Sequence, residues 1–316
     1  MKYIVPALFV FSIVYFVIPV LKSLSVLTDF QDKPTKRKKH YRSVPLLGGV
    51  GIFIGFVAGF LLFFNPYREK YLLVLFASTL VIGIGVMDDW YKTRHKEFAV
   101  LPRIVVQIFA AIIVYKAGIV FTGFTNPLTH NYIVLPILIQ FLFTIVWILG
   151  VTTVINWSDG IDGLAGSLSG ISGVTLFIIA LAKKQPDSAM LSILVVAATL
   201  GFLRYNKHPA QIFMGDSGAN FLGFILSIIA LDGAFKQATI VSIFIPIFAL
   251  GVPIVDNLLV VFNRVKMGKP IYQADASQMH HRLLSSGLNQ KQVWMFISLL
   301  SICSSLVSII ILLLRI

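Results

Sequence analysis

Two adjacent carboxylates, Asp88 and Asp89, stand four and three residues ahead of Lys92 in the segment DDWYK. Neighbouring carboxylates repel and persist best around a cation, and Mg²⁺ held by one or two carboxylates plus substrate phosphates is the usual arrangement. If a helix runs on through them, Lys92 shares their face; the plainer alternative is a solvated helix end with its own Asp-to-Lys pair. A second cluster, NWSDGIDGLAG, repeats Asn156, Asp159 and Asp162 at steps of three, with Gly160, Gly163 and Gly166 interleaved at the same period. Such glycine density suits a tight turn where backbone comes close to a phosphate or sugar and polar side chains bind it; a capping turn between two spans is the alternative. In FMGDSGAN, Asp216 and Ser217 open an apolar run, where a helix N-terminus presents free N–H groups to anions. Asp216 there either caps the helix or ligates a metal, and Phe213 either stacks a base or anchors the chain. The segment ADASQMHHRLL brings Asp275, His280, His281 and Arg282 together. Adjacent histidines point different ways on a helix, so phosphate binding or proton handling suits them better than shared chelation; a surface pair at a membrane interface is the alternative.

These groups must be positioned by a membrane scaffold. The 316 residues are 57% hydrophobic and 12% charged, with a mean hydropathy of +0.89, values outside the range of ordinary soluble domains. A bilayer core takes ~20 apolar residues as helix. Ten runs approach that length: 3–21, 46–64, 71–87, 101–118, 133–155, 164–182, 188–205, 217–235, 238–261 and 292–314. The fold class expected is therefore an all-α polytopic membrane protein, a single domain over residues 1–316. The first run lacks a small-residue cleavage pattern and reads as a retained span rather than a signal peptide. The single cysteine, Cys303, excludes an intrachain disulfide.

Lysine and arginine in the loops set the orientation, because cytoplasmic loops carry an excess of both. The basic residues divide 18 to 8 between the two sides, which puts both termini outside and the richer side in the cytoplasm. Ten of the 13 carboxylates fall on that same side. Positive-inside bias explains the cations but not the acids, so carboxylates at one membrane face need a chemical reason. The net charge of +13 does not point to nucleic acid, since apolar spans interrupt the basic residues. Anionic lipid and phosphorylated substrates are the expected partners, and the run DKPTKRKKHYR would attract lipid head groups by about 1 kcal/mol per residue or serve topology alone.

DD with Lys92, NWSDGIDGL, FMGDSG and HHR, in that order and on one membrane face, resemble the signatures of the polyprenyl-phosphate N-acetylhexosamine 1-phosphate transferases, over nearly the whole chain. The resemblance implies a multi-pass protein of the bacterial inner membrane with its active site facing the cytoplasm. It would transfer a sugar 1-phosphate from a UDP-sugar to undecaprenyl phosphate with Mg²⁺, or Mn²⁺ in its place, and a homodimer is an admissible assembly. RKKHYRSVPLLGG and the double histidine are more similar to the initiators of teichoic acid and enterobacterial common antigen synthesis, which use UDP-N-acetylglucosamine, than to the translocase that takes UDP-muramoyl pentapeptide. By the same resemblance Asp216 and Asp89 are the metal residues, and Asp88, Asp89, Asp159 and His281 the catalytic ones. Lys92, Asn156, Asp162, Phe213, His280 and Arg282 are the substrate-binding ones. Gln278 stands where many relatives carry a histidine, and it brings neither charge nor proton at neutral pH. Two other classes compete: a transporter, whose acids should lie near mid-span, and a CDP-alcohol phosphotransferase, whose signature arginine after Asp-Gly is missing from DGLAGSLSG.

Overall fold

The computed structural model describes residues 1–34, 43–64, 69–126, 129, 131–234, 240–270 and 277–314. The basic residues Lys36, Arg37, Lys38, Lys39 and Arg42, and Asp275 of the histidine segment, lie outside the described residues.

In a bilayer a backbone polar group has no water to turn to, so apolar runs fold as helices. α1 (Ile4–Leu27) is followed by an antiparallel pair, β1 (Gln31–Asp32) and β2 (Val44–Pro45), then α2 (Gly48–Phe63), α3 (Glu69–Thr93) and α4 (Val100–Lys116). A hairpin of β3 (Gly123–Thr125) and β4 (Tyr132–Val134) leads to α5 (Ile137–Trp157), α6 (Leu164–Ala182), α7 (Pro186–Asn206) and α8 (Gly215–Ile229). A π-helical turn over Ala230–Ala234 precedes α9 (Ile240–Ala249), α10 (Gly251–Lys266), the short α11 (Met279–Ser285) and α12 (Gln290–Leu313). Among the described residues six helices, α1, α3, α5, α6, α7 and α12, are long and apolar enough to cross a membrane, and α2 is a shorter apolar helix. The protein is an all-α membrane protein with two small β-pairs.

All ten apolar runs fall on helices, with three departures of consequence. The third does not stop at residue 87: α3 runs to Thr93 and carries Asp88, Asp89 and Lys92 on its last turns. The fifth begins later than expected, because residues 132–134 pair with 123–125 in the hairpin. The ninth is two helices, not one. Gly251 opens α10 and Pro253, which has no N–H to give, falls in its first turn, where none is needed.

At the centre stands α8, buried on all sides from Ser217 to Ile229 and packed by α2, α3, α5, α6 and α7. A helix so largely apolar belongs in such a position; its buried polar residues are Ser217, Asn220 and Ser227. Its neighbours come close through glycine: a Cβ on Gly49 would lie 2.2 Å from the Gly218 amide nitrogen, and one on Gly85 2.4 Å from Ser217 Cα. Small residues at such crossings let backbones approach in lipid. The first turn of α8 is therefore reached directly by α2 and α3, and the polar cluster is assembled there.

Gly85→Ala should accordingly force α3 off the start of α8, at a cost of about 1–3 kcal/mol for overpacking. Gly83, with nothing among the described residues within 4 Å of its added Cβ, should accept alanine without loss. Thermal unfolding of both variants in detergent checks the contrast, and equal midpoints would show that the α3–α8 contact does not limit stability.

Candidate active site

Asp89, at the end of α3, accepts hydrogen bonds from the Asp216 amide through Oδ1 at 2.8 Å and from the Ser217 amide through Oδ2 at 3.0 Å. It thus caps α8 from another helix, satisfying amides that the helix cannot satisfy itself. Gly215 makes this possible. Its φ is +73°, a left-handed conformation, and a Cβ there would sit 2.4 Å from Asp89 Oδ2.

One residue earlier, Asp88 belongs to a different arrangement. Arg103 Nη1 lies 2.8 Å from Asp88 Oδ2 and 3.4 Å from Asp216 Oδ2, while Lys92 Nζ lies 2.6 Å from Asp216 Oδ2 and 3.7 Å from Asp88 Oδ2. Two carboxylates and two cations close a ring at the rim of the bundle. Asp88 is buried while the Lys92 side chain is 40% exposed, so the cations screen the acids from the open side.

The α5–α6 turn is fastened to the segment between α7 and α8. Asn206 accepts from the Gly163 amide at 3.0 Å and donates to the Ile212 carbonyl at 2.9 Å. Asp162 Oδ2 lies 2.8 Å from His208 Nδ1 and accepts from the Ala210 amide at 3.1 Å. Phe213 is held through its backbone, its amide donating to the Pro45 carbonyl at 2.8 Å and its carbonyl accepting from the Gly48 amide at 3.0 Å. Among the described residues Asp159 carries no such tether. Burial, followed by the nearby charge of Asp216, pushes its carboxyl up to about 7, against the opposing pull of Lys92.

α11 places its two histidines differently. His281 faces the cavity described next, while His280 is buried, 2% exposed, with Nε2 against Gly160, where a Cβ would lie 1.9 Å away. Among the described residues no hydrogen-bond partner reaches that nitrogen. Arg282 turns aside to Asp256, its Nη2 3.3 Å from Oδ1. His280 and Arg282, expected beside the diphosphate, are thus packed under the α5–α6 turn and paired with α10, respectively.

A cavity of about 570 Å³ opens between these elements. Its walls include Asp89, Lys92, Asp159, Asp162, Phe213, Asp216 and His281, all picked out by sequence. Asp88, Asn156, His280 and Arg282 stand behind them rather than on the wall. Asp32, Asn206 and Gln290 also line it and were not singled out as binding residues, nor were Arg103 and His208. Arg103 had a visible signal, a cation directly after Pro102 inside an apolar run, but counted only toward topology. Among the described residues, nine buried side-chain atoms lack hydrogen-bond partners; Gln290 Oε1 is on this wall and Ser217 Oγ, Asn156 Nδ2 and His280 Nε2 are on the elements around it, while the other five are elsewhere. Among the described residues no three His, Cys, Asp or Glu side chains are grouped to enclose an ion alone. The Asp88 and Asp216 oxygens, with Asp89 beside them, are the hard ligands that could hold a divalent ion once phosphate oxygens complete its shell.

The family model for glycosyl transferase family 4 matches residues 71–234, which span α3 to the π-helical turn and carry all of these carboxylates except Asp32 and Asp256. The chain belongs to glycosyl transferase family 4. A relative from Bacillus subtilis (strain 168), named "Probable undecaprenyl-phosphate N-acetylglucosaminyl 1-phosphate transferase", is 36% identical over 94% of this chain and 81% of its own length. A "Decaprenyl-phosphate N-acetylglucosaminephosphotransferase" of Mycobacterium tuberculosis (strain ATCC 25618 / H37Rv) is 30% identical over 84% of this chain and 72% of its own. A "Phospho-N-acetylmuramoyl-pentapeptide-transferase" of Rubrobacter xylanophilus is 34% identical, but over only 59% of this chain and 60% of its own. The two N-acetylglucosaminyl relatives named here are matched over 94% and 84% of this chain.

Burial, then the neighbouring His281, depresses His280 to about 3. The native state therefore refuses a proton that the unfolded chain binds below its ordinary value of 6.5. Stability from this residue is complete above that value and drains as pH falls toward 3, by at most about 1.4 kcal/mol per pH unit. Unfolding temperatures compared between pH 7.5 and 5 should fall more steeply for wild type than for His280→Gln; parallel curves would place the protonated ring comfortably in the fold.

Proposed function

We propose that this glycosyl transferase family 4 protein transfers N-acetylglucosamine 1-phosphate from UDP-N-acetylglucosamine to undecaprenyl phosphate, releasing UMP and leaving a lipid diphosphate sugar. The observation that carries the chemistry is the ring of Asp88, Asp216, Lys92 and Arg103 at the capped start of α8. Its position at one end of the helices speaks against a transporter, whose acids would sit near mid-span. The extent of the N-acetylglucosaminyl relatives supports the substrate.

An oxygen of the lipid phosphate attacks the β-phosphorus of the UDP-sugar; the new P–O bond forms as the bond to the bridging oxygen breaks, and that oxygen leaves with UMP. Two anions must meet, so catalysis is chiefly positioning and charge neutralisation. Mg²⁺ held by Asp216 with Asp88 or Asp89 would supply part of that neutralisation when bound. Asp89 lines the cavity and keeps a lone pair on each oxygen beyond its bonds to the α8 amides, while Asp88 lies behind it with Arg103 and Lys92 on its Oδ2. Lys92 and Arg103 can swing from carboxylates to incoming phosphate oxygens once the acids have a divalent partner. The lipid phosphate is largely dianionic near neutral pH, so no strong general base is required; Asp89 orients α8, and His281 faces the diphosphate from α11. Asp159, Asp162 and Phe213 surround the nucleotide and sugar, with Asn156 supporting the turn from behind.

The active end is assigned to the cytoplasm, with ten spans and both termini outside, on the distribution of lysine and arginine. In a Cys303→Ser background, Ser285→Cys on the cavity wall should react with a membrane-impermeant maleimide only in inverted vesicles, and Lys184→Cys only in right-side-out ones. The reverse pattern would invert the topology.

Purified protein with undecaprenyl phosphate and UDP-N-acetylglucosamine should release UMP in a Mg²⁺-dependent manner. Asp216→Asn and Asp89→Asn should abolish release, and Arg103→Gln should lower it on the order of a hundredfold, as expected for loss of one charge-stabilising donor. Release from UDP-muramoyl pentapeptide alone would keep the chemistry and change the sugar. No release from any UDP-sugar by folded protein would sink the assignment.

A further inference from the structure

Asp256 is an acid that the chemistry above does not use. It lies on α10, buried, 8% exposed, and both of its oxygens are 2.9 Å from the Met279 amide, the first residue of α11. Oδ1 also pairs with Arg282 Nη2 at 3.3 Å. α11 has seven residues, too few for a helix to hold by itself, and its N-cap, Gln278, makes no side-chain cap. The anion that a helix start favours is supplied instead from α10. The same helix grips the other side of the cavity. Asn257 Nδ2 donates to the Val154 carbonyl at 3.3 Å, and the buried Arg264 guanidinium sits over the Trp157 ring at 4.8 Å from its centroid. Both contacts fall on the last turn of α5, which delivers Asn156 and Asp159. α10 therefore sets α11 and the α5–α6 turn relative to each other, and His280 against Gly160 is where the two meet.

We propose that Asp256 is a positioning residue for transfer: by capping α11 and holding Arg282 it fixes His281 at the cavity wall, without touching substrate itself. This rests on the transferase assignment of the same site. Misplacing a catalytic group by about 1 Å can cost on the order of a hundredfold in rate, so Asp256→Ala should lower kcat/KM for the UDP-sugar ten- to a hundredfold. Asp256→Asn, which keeps an acceptor for the Met279 amide and loses the charge facing Arg282, should fall in between. The deciding measurement is a double-mutant cycle with His281→Ala. If Asp256 acts through His281, adding Asp256→Ala to His281→Ala should lower kcat/KM by less than about twofold more. Amide hydrogen exchange at residues 279–285 should quicken in Asp256→Ala while exchange at residues 88–92 stays as in wild type. Losses that multiply in the double variant, or unchanged exchange in α11, would overturn the proposal. Should Asp256→Ala not fold, the same cycle run with Asp256→Asn decides between the same two outcomes. Wild-type protein that releases no UMP in this assay would count against the transferase assignment instead, which keeps the two failures apart.

Discussion

The capping of α8 by Asp89 is the contact on which the rest of the site depends. The amides at a helix start have no partner within the helix, and each one left unpaired when buried costs on the order of 1–3 kcal/mol. Asp89 satisfies two of them, on Asp216 and Ser217, with a charge that the helix end favours. The bond joins α3 to α8 at one point, and that point carries Asp88 and Asp216 as immediate chain neighbours of the two partners. Binding a carboxylate at the helix start thus fixes two further carboxylates, and Lys92 and Arg103 follow to screen them. The cluster is costly electrostatically, yet its geometry is set by a neutral structural need, the completion of a helix end.

Such a cluster would be a poor choice for stability alone. Ion pairs at a low-dielectric edge lose much of their attraction to desolvation, and apolar residues in their place would hold the bundle at least as well. The opposite end of α3 shows what a structural polar cluster looks like here. Asp232, in the π-helical turn, accepts from Lys70, from Tyr71 Oη at 2.9 Å and from Ser188 Oγ at 3.4 Å, and Tyr71 Oη also reaches Asp187 at 3.3 Å. Both acids there have donors. Around the cavity, in contrast, Asp159 has no tether among the described residues and burial pushes its carboxyl up, and Ser217 Oγ and Gln290 Oε1 lack partners among those residues.

Much of this was legible in the sequence because it depends on local pattern. Apolar run length located all ten helical regions, and residue type with spacing found seven residues of the cavity wall, from Asp89 to His281. What stayed hidden depends on which element meets which. Nothing in DDWYK distinguishes Asp88, which faces two cations, from Asp89, which caps another helix; only the approach of α8 separates them. His280 and His281 are chemically identical in sequence, and one is buried solely because Gly160 leaves room for its ring. Asp162 looked like a ligand for sugar or nucleotide, and part of its capacity goes instead to His208 and the Ala210 amide, 46 and 48 residues away. Arg103 and Asn206 carry no motif of their own, so their roles exist only through the partners that the fold supplies.

The break between α9 and α10 completes the logic. A continuous ninth helix would have carried Asp256 as an acid in mid-run, the hallmark expected of a transporter. Starting α10 at Gly251 puts Asp256 in its second turn, where it meets α11 instead of a pathway. An acid in an apolar run is costly unless paired and hydrogen-bonded, and Asp256 meets that requirement by holding a backbone amide and a guanidinium of the one short helix that could not stand unaided. The same residue type at the same sequence position therefore changes meaning with a single helix break: ion-pathway chemistry needs an acid left available, and this one is already engaged.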